Sequence, residues 1–296
     1  MPDRVKRLFS DEALREKLAG RGFFLSSANS INWGRVLPQI VYYISAYCDL
    51  LREGRIQKGE RINVCVPTGN FGNILAAYYA REMGVPIGRL ICASNSNNVL
   101  TDFLCTGVYD RNRTFYNTIS PSMDILVSSN LERLLYAITG ENSMVRDCMS
   151  QLTATGRYQV DERTMDKISR LFKGYCCDDE ETKRVIGAIY RQFDYLIDPH
   201  TARGLLRPGQ VPGGDGGRDP RHRGFHRQPL QVLRQPPYRP GRGRSWPRAW
   251  DILDQLSEKT GQPVPAPLAA LRDKKPRFQE TVEKDHMVDA VLEMLK

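Results

Sequence analysis

The turn at residues 67–73, Pro-Thr-Gly-Asn-Phe-Gly-Asn, is the part of this 296-residue chain whose residue types best fit chemistry. Gly69 and Gly72 allow a tight turn that gathers backbone N–H groups, and a following helix adds unpaired N–H groups and partial positive charge. The pattern predicts an anion site, most naturally for phosphate. A turn that only connects two elements is the alternative, and neither the P-loop motif nor GxGxxG is present.

The elements around this turn follow the order strand, loop, helix, strand. Residues 61–67 and 89–94 are short apolar runs typical of buried strands, and residues 73–84 have a helical pattern, so the order predicts a parallel α/β sheet. Apolar spacing predicts an earlier helix at 36–51. Further helices are predicted at 131–139, 144–153, 161–172, 179–193, 250–257 and 281–295.

Composition indicates a soluble globular protein with 41% hydrophobic residues. No apolar run has the length of a membrane span, and the first residues lack the apolar region of a signal peptide, so we expect a cytoplasmic protein without a membrane partner. The odd number and scatter of the cysteines indicate reduced thiols, and no spacing typical of metal ligands predicts a metal site. The seven cysteines are Cys48, Cys65, Cys92, Cys105, Cys148, Cys176 and Cys177.

The net charge of +9 is concentrated in one segment, residues 203–248. This segment contains 11 Arg, two Asp, no Lys and no Glu, and the rest of the chain is neutral overall. Of its 46 residues, 28 are Arg, Gly or Pro, a composition that at face value predicts a disordered insert.

Several motifs together resemble threonine synthases of the yeast and enterobacterial type. They are SSANSINW at 26–33 followed by Arg35, VPTGNFGN at 66–73, ASNSN at 93–97 and DPHTA at 198–202. The similarity covers most of residues 5–202 and 250–296. It implies a type II pyridoxal-phosphate fold, like that of the tryptophan synthase β chain, of which this chain is the C-terminal part and lacks the N-terminal part.

The resemblance also implies an activity and a cofactor site. Threonine synthase is a pyridoxal-phosphate-dependent carbon–oxygen lyase that converts O-phosphohomoserine and water to threonine and phosphate in threonine biosynthesis, as a monomer or homodimer. The cofactor-phosphate residues it implies are Gly69, Asn70, Phe71, Gly72 and Asn73. Their backbone amides and amide side chains can donate to a phosphate dianion, in agreement with the anion site predicted from the turn.

A polar stretch before the first predicted helix is a candidate substrate contact. Its members are Ser27, Asn29, Ser30 and Asn32. Capping of the following helix by Ser30 or Asn29 is at least as good an interpretation. His200 also matches a family position, but a hydrogen-bonded structural histidine is the more common role for such a residue.

The catalytic lysine of the family is expected to be missing. Pyridoxal-phosphate chemistry needs a lysine that holds the cofactor as a Schiff base and moves protons. In the family it lies in a Phe-Lys-Asp context well upstream of the SANSIN motif, and no lysine here has that setting. We therefore expect the chain to be inactive alone, with residues 1–202 a partial cofactor-binding domain and 249–296 a helical segment of that domain.

A reading-frame slip explains the segment 203–248 better than a physical insert. Residues 224–233, written as GGC TTC CAC CGC CAG CCC CTA CAA GTT CTG and read one base later, give Ala-Ser-Thr-Ala-Ser-Pro-Tyr-Lys-Phe, which resembles the family motif STASPYKF. The third codon bases are our choice. The interpretation places the slip near Arg203 and its end near Trp250, and the lost threonine is one that contacts the cofactor ring in the family.

Two other functions stay open from sequence alone. One is a different type II pyridoxal-phosphate lyase or synthase. The other is a noncatalytic protein whose fold binds a phosphate ligand while its Arg/Gly segment contacts nucleic acid. Because aromatic residues are few and irregular in that segment, we expect no nucleic-acid partner.

Overall fold

The computed structural model describes residues 8–9, 11–27, 29–205, 221–223, 247–275, 277 and 281–295. The chain divides into two compact units, Met1–Ala28 with Pro265–Lys296, and Asn29–Val264. The helices are α1 Glu12–Ala19, α2 Trp33–Arg52, α3 Gly72–Glu82, α4 Val99–Thr106, α5 Leu131–Thr139, α6 Asn142–Thr155, α7 Glu162–Leu171, α8 Asp179–Phe193, α9 Pro199–Leu205, α10 Pro247–Thr260, α11 Ala266–Ala269 and α12 Met287–Glu293. The strands are β1 Ile62–Pro67, β2 Ile87–Ser94, β3 Val108–Asp110, β4 Arg157–Gln159, β5 Phe172–Cys176 and β6 Arg221–Arg223.

A four-stranded parallel sheet lies at the centre of the larger unit. Its strand order is β5-β2-β1-β6, and the register aligns Val66 with Cys92 and Pro67 with Ala93. The carboxyl ends of β1 and β2 therefore lie side by side. In open parallel sheets this edge is where ligands bind. Strands β3 and β4 form a separate antiparallel pair.

Burial of one face explains the alternating apolar residues of β1. Ile62, Val64 and Val66 share that face and are all buried, whereas Asn63 and Cys65 on the other face are partly exposed. Helix α3 covers one side and is itself almost entirely buried from Ile74 to Ala80. Helix α2 packs on α3 through one of its faces. Turn 67–73 is therefore fixed at both ends by buried elements.

The smaller unit contains the short helices α1, α11 and α12. In α1, Asp11 accepts a hydrogen bond from the Leu14 backbone N–H at 3.0 Å, and Leu14 and Leu18 are buried. Arg21 Nη1 donates to the Leu292 carbonyl at 3.3 Å. Within the described ranges, no helix of either unit has the length and hydropathy to span a membrane.

The predicted α/β order and most predicted helices are confirmed, with two corrections. Residue Phe172 is the first residue of β5, not the end of a helix, because the strand pairs with β2. The predicted helix 281–295 is instead a 3₁₀ turn at Lys284–His286 followed by α12. Within the segment 203–248, residues 203–205 complete α9, residues 221–223 pair with β1 and residues 247–248 begin α10, and the interpretation of the segment as disordered or frame-slipped stays a prediction. Its other residues lie outside the described part of the chain.

Candidate functional site

The turn between β1 and α3 has an unusual backbone. Phe71, the residue before α3, has φ of 61° in the left-handed region, where an aromatic residue is uncommon. Its side chain is 1% exposed, with its ring centroid 5.8 Å from that of Phe172. Burial of the ring stabilises the strained backbone, and such strain often marks functional sites. The side chain of Phe71 therefore belongs to the core.

The backbone N–H groups of this turn are available to a ligand. Phe71 makes no side-chain cap of α3. Among the described residues, the N–H groups of Gly69, Asn70, Phe71, Gly72 and Asn73 have no hydrogen-bond acceptor. Gly69 and Gly72 are nonetheless buried residues. Unpaired N–H groups at the start of an eleven-residue helix are a donor set to which anions can bind, so the phosphate site at Gly69 to Asn73 stays a prediction.

Close packing explains both glycines of the turn. A Cβ atom on Gly72 would lie 2.5 Å from the Cβ of Ser30, and one on Gly69 would lie 2.9 Å from the Ser122 carbonyl oxygen. Neither glycine has a positive φ, so the requirement is space and not backbone freedom. The sequence interpretation relied on tight turning, whereas the structure explains both glycines by close packing; their role in binding phosphate stays a prediction.

The carbonyl groups of the turn are held from a second segment, residues 128–133. Ser128 Oγ donates to the Gly69 carbonyl at 3.0 Å. Asn130 Nδ2 donates to the Asn70 carbonyl at 2.7 Å and to Ser30 Oγ at 2.9 Å. These hydrogen bonds hold the carbonyl oxygens of Gly69 and Asn70 on the side of Ser128 and Asn130. They do not involve the N–H groups of the turn.

An arginine fixes that supporting segment in turn. Arg133 Nη1 donates to Asn130 Oδ1 at 2.7 Å and to the Ser30 carbonyl at 3.0 Å, and Nη2 donates to the Ile31 carbonyl. Asn130 is fully buried, so its amide orientation is set by these partners. The guanidinium of Arg133 therefore links residues 30–31 to Asn130, and both of these segments contact the turn.

Asn73 has a structural use that the sequence did not indicate. Its Nδ2 donates to Gln39 Oε1 at 3.0 Å, and its Oδ1 accepts from the Tyr43 hydroxyl. Burial raises the pKa of Tyr43 well above its usual value, so the phenol stays protonated and remains a donor. Because the side chain of Asn73 bonds to Gln39 and Tyr43 on α2, only its backbone N–H is a candidate donor to an anion.

The four predicted substrate residues are not equivalent. Asn32 caps α2, accepting from the Gly34 N–H at 3.0 Å, and Asn29 accepts from the Ile31 N–H at 2.8 Å. The cap is thus Asn32 and not Ser30 or Asn29, which corrects the capping interpretation. Ser30 contacts the turn through Asn130 and Gly72. Ser27 belongs to the smaller unit. Substrate contact stays a prediction for all four.

His200 lies close to the turn. Its Nδ1 is 3.4 Å from Ser122 Oγ, on the 3₁₀ turn Pro121–Met123 that packs against Gly69. Asp198 fixes the backbone there, accepting from the His200 N–H at 2.8 Å and from Thr201 at its N–H and hydroxyl. The motif DPHTA is therefore a capped helix start whose histidine reaches the wall of the site.

A buried amide and carboxylate cluster holds the loop that carries Ser122. Asp124 accepts from Asn95 Nδ2 at 2.6 Å, from Asn97 Nδ2 at 3.1 Å, and from Thr118 at its N–H and Oγ1. Asn95 and Asn97, from the ASNSN motif after β2, are 0% and 3% exposed. Their side chains position the loop against the turn, which is the structural use of that motif.

Sequence reasoning missed Ser128, Asn130, Arg133 and Asp124. They lie more than fifty residues after the turn, in a stretch without glycine or alternating pattern, so no local signal identifies them. Conservation of these polar positions in an alignment is the kind of signal that finds such residues.

Comparison with known proteins relates the chain to one family. No protein-family model matches it. It is 47% identical over 201 residues to threonine synthase-like 1 of Homo sapiens, a match that covers 67% of this chain and 27% of that protein. It is 40% identical over 199 residues to the threonine synthase of Pseudomonas aeruginosa, covering 66% of this chain and 41% of that protein. The chain thus spans well under half of the length of these relatives.

Similarity to solved structures agrees with the sequence match. The pyridoxal-phosphate-bound threonine synthase of Brucella melitensis matches 99% of this chain and 56% of its own, with a TM-score of 0.78 and 31% identity. The parallel sheet with its glycine turn is therefore an incomplete type II pyridoxal-phosphate fold. The chain belongs with the threonine synthases and threonine synthase-like proteins, as a partial member corresponding to their C-terminal part.

Proposed function

We propose that the chain is the cofactor-phosphate-binding part of a pyridoxal-phosphate-dependent threonine synthase. The observation that carries this proposal is the set of unpaired N–H groups at Gly69 to Asn73, at the start of a helix without a side-chain cap. A phosphate dianion is the ligand that such a set fits best. Because the side chains of Phe71 and Asn73 are used in the fold, the contacts are backbone N–H groups together with the side chain of Asn70, which is exposed.

The residues present fit the phosphate of the cofactor. The turn is kept narrow by two glycines that tolerate no Cβ, and its carbonyl groups are held away by Ser128 and Asn130. The bound cofactor would supply an electron sink for a carbanion at the substrate's α or β carbon. This chain's residues anchor and orient that group. In the family, the substrate is O-phosphohomoserine and the products are threonine and phosphate.

Catalysis needs a lysine that we propose is not in this chain. No lysine lies in the turn, in the segment 29–32, or in the supporting residues 118–133. A chain that binds the cofactor phosphate without this base anchors the cofactor but does not move protons at the substrate. We also propose that residues 1–202 form a partial cofactor domain and that residues 249–296 form a helical segment of the same domain. We further propose that the protein is cytoplasmic.

The test is a titration of the full chain with pyridoxal phosphate, with pyridoxal and with inorganic phosphate, followed by calorimetry. We expect pyridoxal phosphate to bind clearly more tightly than pyridoxal, and inorganic phosphate to compete. Equal binding of the two cofactor forms would remove the phosphate site. In parallel, the chain alone should release no phosphate from O-phosphohomoserine, and sustained turnover would show that a catalytic lysine is present after all.

A second candidate is a lyase of the same class that acts on a different phosphate ester. The higher identity to human threonine synthase-like 1 than to the Pseudomonas threonine synthase favours it. A binding panel on the chain loaded with pyridoxal phosphate separates the two candidates. Binding of O-phosphohomoserine but not of O-phosphoserine or O-phosphothreonine, measured by calorimetry, would support threonine synthase, and the reverse preference would support the alternative.

A further inference from the structure

A cavity of about 240 Å³ lies within the larger unit, next to the segment that supports the turn. Its walls are mainly apolar, with side chains from Val127, Leu131, Met149 and Leu152. Pockets for drug-sized ligands measure roughly 300–1,000 Å³, so this cavity fits a smaller molecule. Apolar cavities of roughly 150 Å³ are known to bind a ring as small as benzene. The size and lining therefore indicate a site for a small, mostly apolar molecule.

One polar group faces this cavity without a partner. Tyr158 lines the cavity and is only 2% exposed, and its hydroxyl group makes no hydrogen bond to any residue that the structure describes. Burial raises the pKa of Tyr158 well above its usual value, and the nearby Tyr109, Cys148 and Glu132 raise it further, so the phenol is a neutral donor. A buried hydroxyl without a partner costs free energy, and an acceptor atom on a ligand would recover it.

Two residues of the cavity wall connect it to the turn. The ring of Tyr158 stacks on that of Tyr109, with centroids 5.2 Å apart and an angle of 3° between the ring planes. The Tyr109 hydroxyl donates to the Leu126 carbonyl at 3.1 Å and accepts from the Ser128 N–H at 2.8 Å. Ser128 also lines the cavity, and its Oγ holds the Gly69 carbonyl at 3.0 Å. A molecule in the cavity would therefore contact the residues that position the turn.

The charged residues at the cavity favour a neutral ligand. Arg133 already donates to the carbonyl groups of Ser30 and Ile31 and to Asn130 Oδ1. Glu132 is exposed, so water solvates its carboxylate. A charged ligand would lose its hydration among the apolar walls, at a cost that an exposed carboxylate does little to offset.

We propose that this cavity is a binding site for a small neutral aromatic molecule with one hydrogen-bond acceptor, of which phenol is the simplest example. The ring of the ligand fills the space beside Met149 and the tyrosine pair, where sulfur–aromatic and ring–ring contacts favour an aromatic molecule. The acceptor atom of the ligand takes the hydrogen bond that the Tyr158 hydroxyl lacks.

The bound molecule should also tighten phosphate binding at the turn. A filled cavity leaves Ser128 and Tyr109 less room to move, so the Gly69 carbonyl is held more firmly and the N–H groups of the turn keep their common direction. Because such coupling is reciprocal, pyridoxal phosphate should raise the affinity for phenol by the same factor. This effect rests on the proposed function, whereas binding to the cavity does not.

The test is calorimetric titration of the full chain with phenol and with benzene. We expect one-to-one binding, with phenol about fivefold or more tighter because only phenol can accept from Tyr158. Tyr158→Phe should bind the two equally, and its melting temperature should match that of the parent chain because no hydrogen bond is lost. Met149→Trp fills the cavity and should bind neither. Met144→Trp, also half-buried on α6 but outside the cavity wall, is the matched control and should bind phenol as the parent chain does.

Pyridoxal phosphate is then titrated with and without saturating phenol. We expect about threefold tighter binding with phenol in the parent chain, and no difference in Met149→Trp. Absence of saturable phenol binding, or a phenol preference that survives in Tyr158→Phe, would overturn the proposed cavity site. Unchanged pyridoxal-phosphate affinity would overturn its link to the turn. A chain that binds phenol through Tyr158 but does not bind pyridoxal phosphate would support the cavity site and remove the proposed function together with the link.

Discussion

The helix starts of this chain fall into two kinds. At α2, α7 and α8 an Asn or Asp side chain accepts a hydrogen bond from a first-turn N–H. The accepting residues are Asn32, Asp161 and Asp178 respectively. At α3 the preceding residue is Phe71, whose side chain cannot cap and whose φ is positive. Helices α4, α5 and α6 also start without a side-chain cap, so a missing cap alone identifies nothing.

What separates α3 from every other described helix is the combination of features at its start. It follows directly from the carboxyl end of an inner strand, its two glycines admit no Cβ, and its carbonyl groups are held by Ser128 and Asn130. A capped start satisfies its own donors and stabilises the fold. The start of α3 instead leaves N–H donors without an acceptor among the described residues, and we propose that a phosphate group accepts from them. Four substitutions can break or sharpen this contrast.

The largest expected effect is on stability, from Phe71→Ala. The ring is 1% exposed and packs on Phe172, so its removal should lower the free energy of unfolding by about 3–5 kcal/mol. The measurement is urea denaturation followed by circular dichroism. Phe71→Leu is the control and should lose much less, because it keeps most of the buried volume. If Phe71→Ala were neutral, the ring would not be what stabilises the left-handed backbone of the turn.

Gly72→Ala should affect ligand binding most. Its Cβ would lie 2.5 Å from the Ser30 Cβ, so the turn must shift, at a cost of about 1–3 kcal/mol in stability. We expect pyridoxal-phosphate affinity to fall by about tenfold or more, since the N–H groups lose their common direction. Affinity for pyridoxal should change little. The control is Gly20→Ala, at the end of α1, where φ is not positive and an added Cβ meets nothing closer than 3.5 Å; it should leave the preference for the phosphate form intact.

Asn130→Ala tests the support of the turn. It removes the bonds to the Asn70 carbonyl and Ser30 Oγ and leaves Arg133 with one acceptor fewer. Leaving buried groups unpaired costs about 1–3 kcal/mol. We expect weaker phosphate binding together with the stability loss. Asn130→Asp distinguishes loss of the hydrogen bond to the Asn70 carbonyl from loss of side-chain volume. It keeps the shape and the Arg133 contact but cannot donate to that carbonyl. It should therefore bind phosphate as poorly as the alanine variant.

How far the sequence predicts the molecule depends on the distance between interacting residues. Helix α2, strand β1 and helix α3 follow from apolar spacing within a dozen residues, and the turn follows from its glycines. Strand β5 does not. Gly174 is needed there because a Cβ would lie 2.8 Å from the Thr101 backbone, and Thr101 is 73 positions away in sequence. Phe172 therefore looked like the end of an amphipathic helix, and only pairing with β2 makes it a strand residue.

The same limit applies to the site. Gly69 and Gly72 are visible as a motif, whereas Asn130 supports the turn across 60 residues. The role of Asn73 was also missed in part, because its side chain bonds to Gln39 and Tyr43 on a helix that precedes it. A motif predicts which backbone N–H groups could bind a phosphate. The long-range hydrogen bonds that hold that stretch of backbone in place are known only from the fold.

The smallest expected effect is at Asp161, which represents the capped kind of helix start. Its Oδ1 accepts from the Thr164 N–H at 2.6 Å, and this hydrogen bond lowers the pKa of the carboxyl below its ordinary value of 3.8. A carboxyl whose pKa is lower in the folded state contributes stability above its unfolded pKa and loses it as the pH falls through the folded value. Asp161→Ala should cost about 1 kcal/mol near neutral pH, with less of that difference remaining near pH 3.

Asp161→Asn separates the effect of the carboxylate charge from that of the capping hydrogen bond, because an amide oxygen accepts the hydrogen bond from the Thr164 N–H at every pH. Urea denaturation at the two pH values should show the advantage of the parent chain over this variant shrinking as the pH falls. Pyridoxal-phosphate affinity should be the same in all three proteins, since α7 starts far from the turn in sequence and supplies none of its contacts. A loss of affinity in Asp161→Ala comparable to that of Gly72→Ala would mean that capped and uncapped starts do not differ in function, and the contrast on which the phosphate site is argued would fail.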